Sequence, residues 1–420
     1  MDLSYPDGSS INDYIDKNEY SLKYVTVDRA IEFIQDLGKG CFLSKVDIEG
    51  AFRIVPVSPD NFRYLGVFWK GKYYYDTRLT MGGRSSPGIF DKLSEALEWV
   101  AVNNYGLDHT CHLLDDFLVV EAPRKKGQAL VKLLQLFQKV NIPIANHKVE
   151  GPSQKLEFLG ITLDSQELVA SLSLEKVRKL EADILEFLKR TKCTKRELLS
   201  LIGSLSFACK VVVPGRTFLH RLITLSCTVS KLSHKIYVNE SVREDLKMWL
   251  KFLKQWNGRK FFLDRTISLA WDMEFHTDAS STVGYGGCFK SQWFCGRWEE
   301  SDVMPSMAAR ELYPIVLAAV FWGSEWSGKR IQVFCDNEAT VTLINKGYSS
   351  DKVIAKLLRC LTLECMSKNF SIKAAHIPGK KNIKADLLSR LQLERFKRIF
   401  PDMETYPVVV TPAVKKFVLQ

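Results

Sequence analysis

The chain has 420 residues, which is enough for two or three domains, and its 46% hydrophobic and 25% charged residues are ordinary for a folded protein. The net charge of +11 favours a polyanionic partner, although basic proteins without one are not rare. The sequence has no apolar run of about 18 residues and begins with polar and acidic residues, so we expect no membrane span, no signal peptide and a cytoplasmic or nuclear location. Ten cysteines without a Cys-x-x-Cys pair predict reduced, buried thiols.

The N-terminal part of the chain is predicted to alternate helices and strands. Residues 24–37 have the apolar spacing of an amphipathic helix. The apolar residues 41–48 predict a buried strand with Asp47 near its end. Residues 68–78 predict a hairpin that turns at Gly71.

A Gly- and Ser-rich loop follows this hairpin at residues 80–87 and leads into a predicted helix at 88–100. Backbone N–H groups at a helix N-terminus attract anions, and Arg84 adds positive charge there. This loop is therefore a candidate anion-binding site.

Residues 112–120 place two adjacent carboxylates, Asp115 and Asp116, between two apolar runs. This pattern predicts two buried strands joined by a tight turn. An Asp-Asp pair is also common in surface turns, but these flanks are too apolar for a solvated loop, and two buried like charges need compensation. With Asp47 the pair would supply the hard oxygen ligands that Mg²⁺ prefers.

The middle of the chain is predicted to be helical and basic. Apolar residues recur at helical spacing through residues 171–235, and a capping box begins a helix at Thr194. Another amphipathic helix is predicted at 239–256, and residues 257–266 are predicted to be a linker. A basic helical bundle could follow a nucleic-acid backbone, or it could be a plain helical domain with solvated lysines.

The C-terminal part changes to alternating strands and helices that carry a second set of carboxylates: Asp278, Glu311, Asp336 and Asp386. The predicted elements are strands at 275–280, 284–289, 331–334 and 371–377, and helices at 307–323 and 382–391. Strand ends and a neighbouring helix can bring four carboxylates together around two Mg²⁺ ions. The tail from residue 391 onward is basic and then Pro-rich, and we expect it to be poorly ordered.

Four short motifs occur in one order, at residues 47–52, 83–87, 114–116 and 158–160. In this order they resemble the motifs of a reverse transcriptase palm. The sequences of these motifs are most similar to those of retrotransposons of the DIRS type, a group of LTR-like retroelements. Gypsy-like elements and retroviruses usually have Tyr or Phe where Leu114 stands. The stretches that carry this similarity are residues 2–6, 45–48, 114–117, 150–152 and 213–216.

The resemblance implies an α/β fold: a right-hand polymerase followed by an RNase H-like mixed sheet flanked by helices. It divides the chain into partial fingers and palm at 1–168, a helical thumb at 169–235, a connection at 236–268, an RNase H-like domain at 269–392 and a tail at 393–420. It also implies that the chain is truncated in the fingers, whose basic residues would grip the triphosphate.

The resemblance assigns Asp47, Asp115 and Asp116 as metal-binding carboxylates of the polymerase site. Phe52 matches the aromatic residue under the incoming sugar, where a flat ring leaves no room for a 2′-hydroxyl; the alternative is core packing. Lys148 matches a lysine proposed to protonate the pyrophosphate, or it is a solvated lysine at a helix end. Two further candidates for nucleotide binding are Met81 and Arg84.

The second set of carboxylates is similar in type and order to the four of the RNase H fold. Two Mg²⁺ or Mn²⁺ ions are expected in each active site. His376 fits the position of a mobile histidine that helps the product leave, or it is a polar residue at a strand end.

The activity implied is RNA-directed DNA synthesis together with ribonuclease H. The expected partners are an RNA template, a DNA primer, an RNA–DNA hybrid and dNTPs, with a tyrosine recombinase encoded elsewhere in the same element. Two alternatives remain: a chain that only cleaves RNA because the fingers are missing, and a non-catalytic nucleic-acid-binding relic. Seven retained carboxylates argue against the relic, because binding a polyanion gains nothing from acidic clusters.

Overall fold

The computed structural model describes residues 2–255, 259–260, 267–270, 272–299, 304–368, 370–377 and 382–419. It forms two compact units: Met1–Ser173 with Gly258–Leu263, and Leu174–Asn257 with Asp264–Gln420. Helices and strands are mixed in both units, in agreement with the predicted α/β class. Within the described ranges, no helix has the length and apolar character that crossing a membrane requires.

The helices of the first unit are α1 (Val27–Leu37), α2 (Ser86–Tyr105) and α3 (Gln128–Lys139). The α-helices of the second unit are α4 (Leu174–Lys189), α5 (Lys195–Ala208), α6 (His220–Ser226), α7 (Glu240–Gln255), α8 (Met307–Trp322), α9 (Glu338–Lys346), α10 (Lys352–Ser367), α11 (Ile383–Ser389), α12 (Leu393–Ile399) and α13 (Pro412–Leu419). Short 3-10 helices lie at Ile11–Tyr14, Ala51–Ile54, Pro59–Leu65, Asn146–Lys148, Val213–Phe218 and Gly323–Trp326.

The strands are β1 (Phe42–Asp47), β2 (Gly66–Trp69), β3 (Lys72–Tyr75), β4 (Thr110–Leu113), β5 (Asp116–Glu121), β6 (Glu150–Ser153), β7 (Lys155–Phe158), β8 (Ile161–Asp164), β9 (Val169–Ser171), β10 (Lys192–Thr194), β11 (Lys235–Tyr237), β12 (Arg259–Lys260), β13 (Ile267–Leu269), β14 (Phe275–Ala279), β15 (Gly284–Phe289), β16 (Gln292–Arg297), β17 (Arg330–Cys335) and β18 (Ser371–His376). The predicted linker at 257–266 contains β12, which pairs with β9, and otherwise lies outside the described residues.

The core of the first unit is an antiparallel sheet in the order β4-β5-β1-β6, with α2 and α3 packed against it. Strand β5 is central and carries a continuous apolar run, from Phe117 to Val120, that is buried on both faces. A second sheet in the order β12-β9-β8-β7 completes this unit, and β2 and β3 form a separate hairpin.

The second unit contains an antiparallel sheet, β14-β15-β16, and a parallel one, β13-β17-β18. The apolar helix α8 lies in its core, and twelve of its residues are buried. Parallel strands need a crossover connection, and helices α9 and α10 provide it between β17 and β18. In the same unit, the buried Asp245 of α7 accepts hydrogen bonds from Arg359 of α10 and Arg221 of α6.

The expectation of a poorly ordered tail is wrong. Helices α12 and α13 form there, and Phe396 and Val418 are both fully buried. Trp293 of β16 packs on Phe396, and its indole N–H donates to the Glu404 carbonyl at 2.7 Å. The tail is therefore ordered by tertiary packing, which its polar and Pro-rich composition did not reveal.

Candidate active sites

The pairing of β1 with β5 brings the N-terminal carboxylates to one end of the central sheet. Asp47 is the last residue of β1 and lies opposite Asp116, the first residue of β5. Asp115 lies in the turn between β4 and β5, and its carbonyl accepts a hydrogen bond from the Ile48 N–H at 3.0 Å. The turn requires a left-handed residue, Leu114, with φ of +54°. Three carboxylates predicted from separate motifs thus lie together.

These carboxylates repel one another, and Lys148 hydrogen-bonds to one of them. Burial and the neighbouring charges of Asp47 and Asp115 raise the pKa of Asp116 to about 6. Burial also raises the pKa of Asp115. The Lys148 Nζ donates to both carboxylate oxygens of Asp47 at 3.0 Å, and this hydrogen bonding raises the pKa of the lysine. Three carboxylates outnumber the two cations that act on them, Lys148 and Lys45, and leave a negative site made of the hard oxygen donors that suit Mg²⁺ or Mn²⁺.

Helix α2 holds the turn that carries the two aspartates. The buried Ser94 hydroxyl donates to the carbonyl of Leu114 at 2.7 Å. On the same helix, Asp91 and Glu98 flank His112 of β4, with Asp91 Oδ1 3.5 Å from Nε2 and Glu98 hydrogen-bonded to Nδ1. Burial lowers the pKa of His112, but the two carboxylates outweigh it and raise that pKa above its ordinary value.

The sequence alone does not indicate a role for these supporting residues. Positions 91, 94 and 98 have the spacing i, i+3 and i+7, which puts them on one face of a helix. That spacing indicates that the three side chains share one helix face, but nothing in the sequence indicates that this face contacts the turn at Asp115. The pairing depends on a contact between α2 and β4 that only the fold supplies.

The candidate nucleotide-binding residues lie on the elements around this site. Phe52 is in the 3-10 helix that follows Asp47 and makes an edge-to-face contact with Phe90 of α2, with ring centroids 5.3 Å apart. Met81 is 66% exposed in the loop before α2. The Arg84 guanidinium donates to the backbone carbonyls of Asn12 and Ile15, so it fastens the N-terminal segment to this loop.

The C-terminal carboxylates converge in the second unit. Asp278 lies on β14, Glu311 on α8, and Asp336 directly follows β17. Burial, then the charges of Asp278 and Asp336, raises the pKa of Glu311 to about 9. Burial likewise raises the pKa of Asp278 to about 6, with Asp336 and Asp386 contributing in the same direction. The charges of Glu311 and Asp278 thus act on one another's surroundings together with Asp336, and the charge of Asp386 acts on Asp278.

Neighbouring side chains fix the rim of this second cluster. Ser389, the last residue of α11, donates to Asp278 Oδ2, and the Nε of Arg390, the residue after it, donates to Asp386 Oδ1 at 2.6 Å. His376 lies beside Cys335 in the parallel β17–β18 pair, and its Nε2 is 3.2 Å from the Asp336 carbonyl oxygen. The sequence did not indicate a role for Ser389, although this residue lies one helical turn after Asp386.

Cys335 also lies at this cluster, although the sequence did not indicate it as a site residue. Its thiol, a Glu311 carboxylate oxygen and an Asp336 carboxylate oxygen lie within 4.8 Å of one another, a group that could hold a metal ion. Burial raises the pKa of the Cys335 thiol to about 12, and the charge of Glu311 adds to the rise. A neutral thiol is a poor ligand for Mg²⁺, so the carboxylates are the better donors here.

Comparison with known proteins finds a family similarity in the part of the chain that contains the first cluster. Residues 3–163 match the family model described as reverse transcriptase (RNA-dependent DNA polymerase), and these residues include Asp47, Asp115 and Asp116. This part of the chain is therefore similar to reverse transcriptase domains. A curated relative, the Pro-Pol polyprotein of simian foamy virus type 1, is 23% identical over 136 residues, which are 32% of this chain and 11% of that polyprotein.

Two solved structures of foamy viral protease-reverse transcriptase share the fold at 14% sequence identity. A dRH form in complex with double-stranded DNA has a TM-score of 0.52, covering 88% of this chain and 61% of that one. The protein in complex with an RNA/DNA hybrid has a TM-score of 0.50, covering 96% of this chain and 49% of that one. The predicted α/β polymerase fold is thereby confirmed. This chain spans less than two thirds of the length of either relative.

Proposed function

We propose that this protein is an RNA-directed DNA polymerase with ribonuclease H activity, from a retroelement of the DIRS type. One observation carries the proposal. In a domain that matches the reverse transcriptase model, β1 pairs with β5 so that Asp47 lies opposite Asp116 and next to the Asp115 turn. Three converging carboxylates at a sheet end suit phosphoryl transfer, which depends on positioning and charge neutralisation.

In the polymerase reaction, the 3′-hydroxyl of a DNA primer attacks the α-phosphate of a dNTP as the bond to pyrophosphate breaks. Asp47, Asp115 and Asp116 would hold two Mg²⁺ or Mn²⁺ ions, which supply the charge neutralisation that this displacement needs. Lys148 keeps an ammonium group at Asp47, and we assign it the donation of a proton to the leaving pyrophosphate.

Nucleotide selection is assigned to Phe52, with Met81 and Arg84 as further binding residues. Phe52 is half-buried and braced by Phe90, so its ring has a fixed position directly after the Asp47 strand. A fixed ring can exclude a 2′-hydroxyl, whereas a smaller side chain leaves space for it. Phe52→Val should therefore increase incorporation of ribonucleotides, measured as the ratio of rNTP to dNTP extension rates.

The second unit is proposed to carry the ribonuclease H activity. Asp278, Glu311, Asp336 and Asp386 would hold two ions there, and an activated water would cleave the RNA strand of an RNA–DNA hybrid. His376 is assigned to product release. A relative's structure contains an RNA/DNA hybrid, which supports hybrid as the substrate class. We likewise propose residues 169–235 as the thumb, 236–268 as the connection and 269–392 as the RNase H-like domain.

The test is a pair of assays on the full chain with Mg²⁺. Extension of a DNA primer on an RNA template should be lost in the double variant Asp115→Asn/Asp116→Asn, while hybrid cleavage is retained. Asp278→Asn should lose cleavage and retain extension. Extension that survives the double substitution would refute the polymerase assignment. A wild-type chain that cleaves hybrid but does not extend primers would support the RNase H-only alternative. A wild-type chain that binds hybrid equally with and without Mg²⁺, but neither extends primers nor cleaves hybrid, would support the non-catalytic nucleic-acid-binding alternative.

A further inference from the structure

The hairpin formed by β2 and β3 stands outside the core and exposes an unusual amount of aromatic surface. All eight of its strand residues are exposed. Phe68, Trp69 and Tyr73 are 60%, 62% and 86% exposed, and Tyr74 and Tyr75 are also more than half exposed. Large apolar patches at a protein surface usually mark an interaction site.

The strand register arranges these side chains on two faces. Residues paired across the hairpin share a face, so Phe68 and Tyr73 lie together with ring centroids 4.9 Å apart. On the same face, Tyr75 stacks on Phe62 at 5.0 Å. Successive residues on one face of a strand are about 7 Å apart, which leaves room for a flat ring between neighbouring side chains.

Positive charge lies among these rings. The hairpin carries Lys70 and Lys72 and has no Asp or Glu from residue 66 to residue 75. The Lys70 Nζ lies 5.9 Å from the Trp69 ring centroid, and just before the hairpin the Arg63 guanidinium lies over Tyr64 at 4.8 Å. Aromatic rings interleaved with cations suit a ligand that has both flat apolar faces and negative charge.

The base of the hairpin is fastened to the chain segment that follows Asp47. The Val57 N–H donates to the Thr77 carbonyl at 3.1 Å, and the Leu79 N–H donates to the Val55 carbonyl at 2.9 Å. An ion pair between Arg53 and Asp76 at 2.6 Å closes the same junction and neutralises the nearest carboxylate. A ligand on the hairpin would therefore be held in a defined relation to the Asp47 strand.

We propose that this hairpin binds single-stranded nucleic acid, by stacking unpaired bases on Phe68 and Tyr73, which share one face, while Lys70 and Lys72 contact phosphates. Stacking on aromatic rings is nearly independent of base identity, as a copying enzyme requires. The identity of the strand as unpaired template rests on the proposed function, whereas the binding itself does not.

The test measures binding of a fluorescent oligonucleotide of about 15 nucleotides, single-stranded or duplex, by anisotropy. The double variant Phe68→Ala/Tyr73→Ala should bind single strands at least tenfold more weakly, with duplex binding unchanged. Lys70→Ala/Lys72→Ala should flatten the salt dependence of single-strand binding. Tyr406→Ala removes an aromatic side chain that is 80% exposed elsewhere and is the matched control.

The readouts separate this proposal from the polymerase assignment. Asp115→Asn/Asp116→Asn should bind single strands as the wild type does, because the hairpin is untouched. Unchanged binding in the Phe68→Ala/Tyr73→Ala variant would overturn the hairpin proposal and leave the polymerase assignment intact. The hairpin would instead be a protein interface if the wild type self-associates in sedimentation and the Phe68→Ala/Tyr73→Ala variant does not, while both bind the oligonucleotide equally.

Discussion

The two carboxylate clusters hold their like charges together in different ways. In the first unit, Lys148 donates to both oxygens of Asp47 and so places a cation inside the cluster. In the second unit, the Ser389 hydroxyl donates to Asp278, and the Arg390 guanidinium donates to Asp386 and acts on Asp278 through its charge. Glu311 in this cluster is neutral at pH 7, because burial and then the charges of Asp278 and Asp336 raise its pKa to about 9.

This difference determines what each site must give up to bind a divalent cation. The first site must separate Asp47 from its lysine, whereas the second must release the proton of Glu311. Binding at the second site should therefore depend more steeply on pH. Four substitutions test this contrast.

Asp47→Asn should have the largest effect, because it removes a metal-binding carboxylate and the partner of Lys148 together. We expect primer extension to fall about a hundred- to thousandfold in single-turnover kinetics. Cleavage of an RNA–DNA hybrid by the same variant is the internal control and should be unchanged. Extension near the wild-type rate would show that Asp47 is not part of the polymerase site.

Glu311→Gln should stabilise the metal-free protein at alkaline pH. The folded-state pKa of Glu311 is raised from 4.5 to about 9, so the stability of the wild type falls as the pH rises through that window. Glutamine removes this cost. In EDTA at pH 8 we expect the Tm to increase by several degrees, with little change at pH 4.5.

The matched control for this prediction is Glu338→Gln, which changes an exposed glutamate in the first turn of α9. It should leave the pH dependence of thermal unfolding as it is in the wild type. If Glu311→Gln also left the pH dependence of thermal unfolding unchanged, protonation of Glu311 would not be the difference between the two sites.

Lys148→Met should tighten metal binding at the first site, because it removes the cation that competes for Asp47. We expect the Mg²⁺ concentration for half-maximal extension to fall several-fold, while the maximal rate also falls because the proton donor is lost. Lys155→Met removes an exposed lysine that pairs with Asp164 and is the control. A higher Mg²⁺ requirement in Lys148→Met would contradict the competition.

Ser94→Ala should have the smallest effect, since it removes only the hydrogen bond that holds the Leu114 carbonyl. We expect kcat for extension to fall up to about tenfold with an unchanged KM for dNTP, because small misplacement of reacting groups slows chemistry. Ser204→Ala, at an exposed position of α5, is the control. A rise in KM alone would place Ser94 in substrate binding.

Local pattern was sufficient to predict the strands and the carboxylates they carry. Apolar runs next to Asp47 and Asp115 predicted buried strands, and the observed bounds of β1, β4 and β5 agree. The counter-charges were not predictable, because Lys148 lies 101 positions from Asp47 and reaches it only through the folding of the sheet. The same holds for the order of the tail, where burial of Phe396 depends on Trp293 of a distant strand.

We expect each carboxylate cluster to hold divalent cations, and both proposed activities depend on this. Crystals of the full chain soaked in Mn²⁺, with anomalous diffraction recorded near the manganese edge, test it most directly. We predict anomalous peaks bounded by Asp47, Asp115 and Asp116 in the first unit, and by Asp278, Glu311, Asp336 and Asp386 in the second. A crystal with manganese bound elsewhere and neither cluster occupied would contradict the claim.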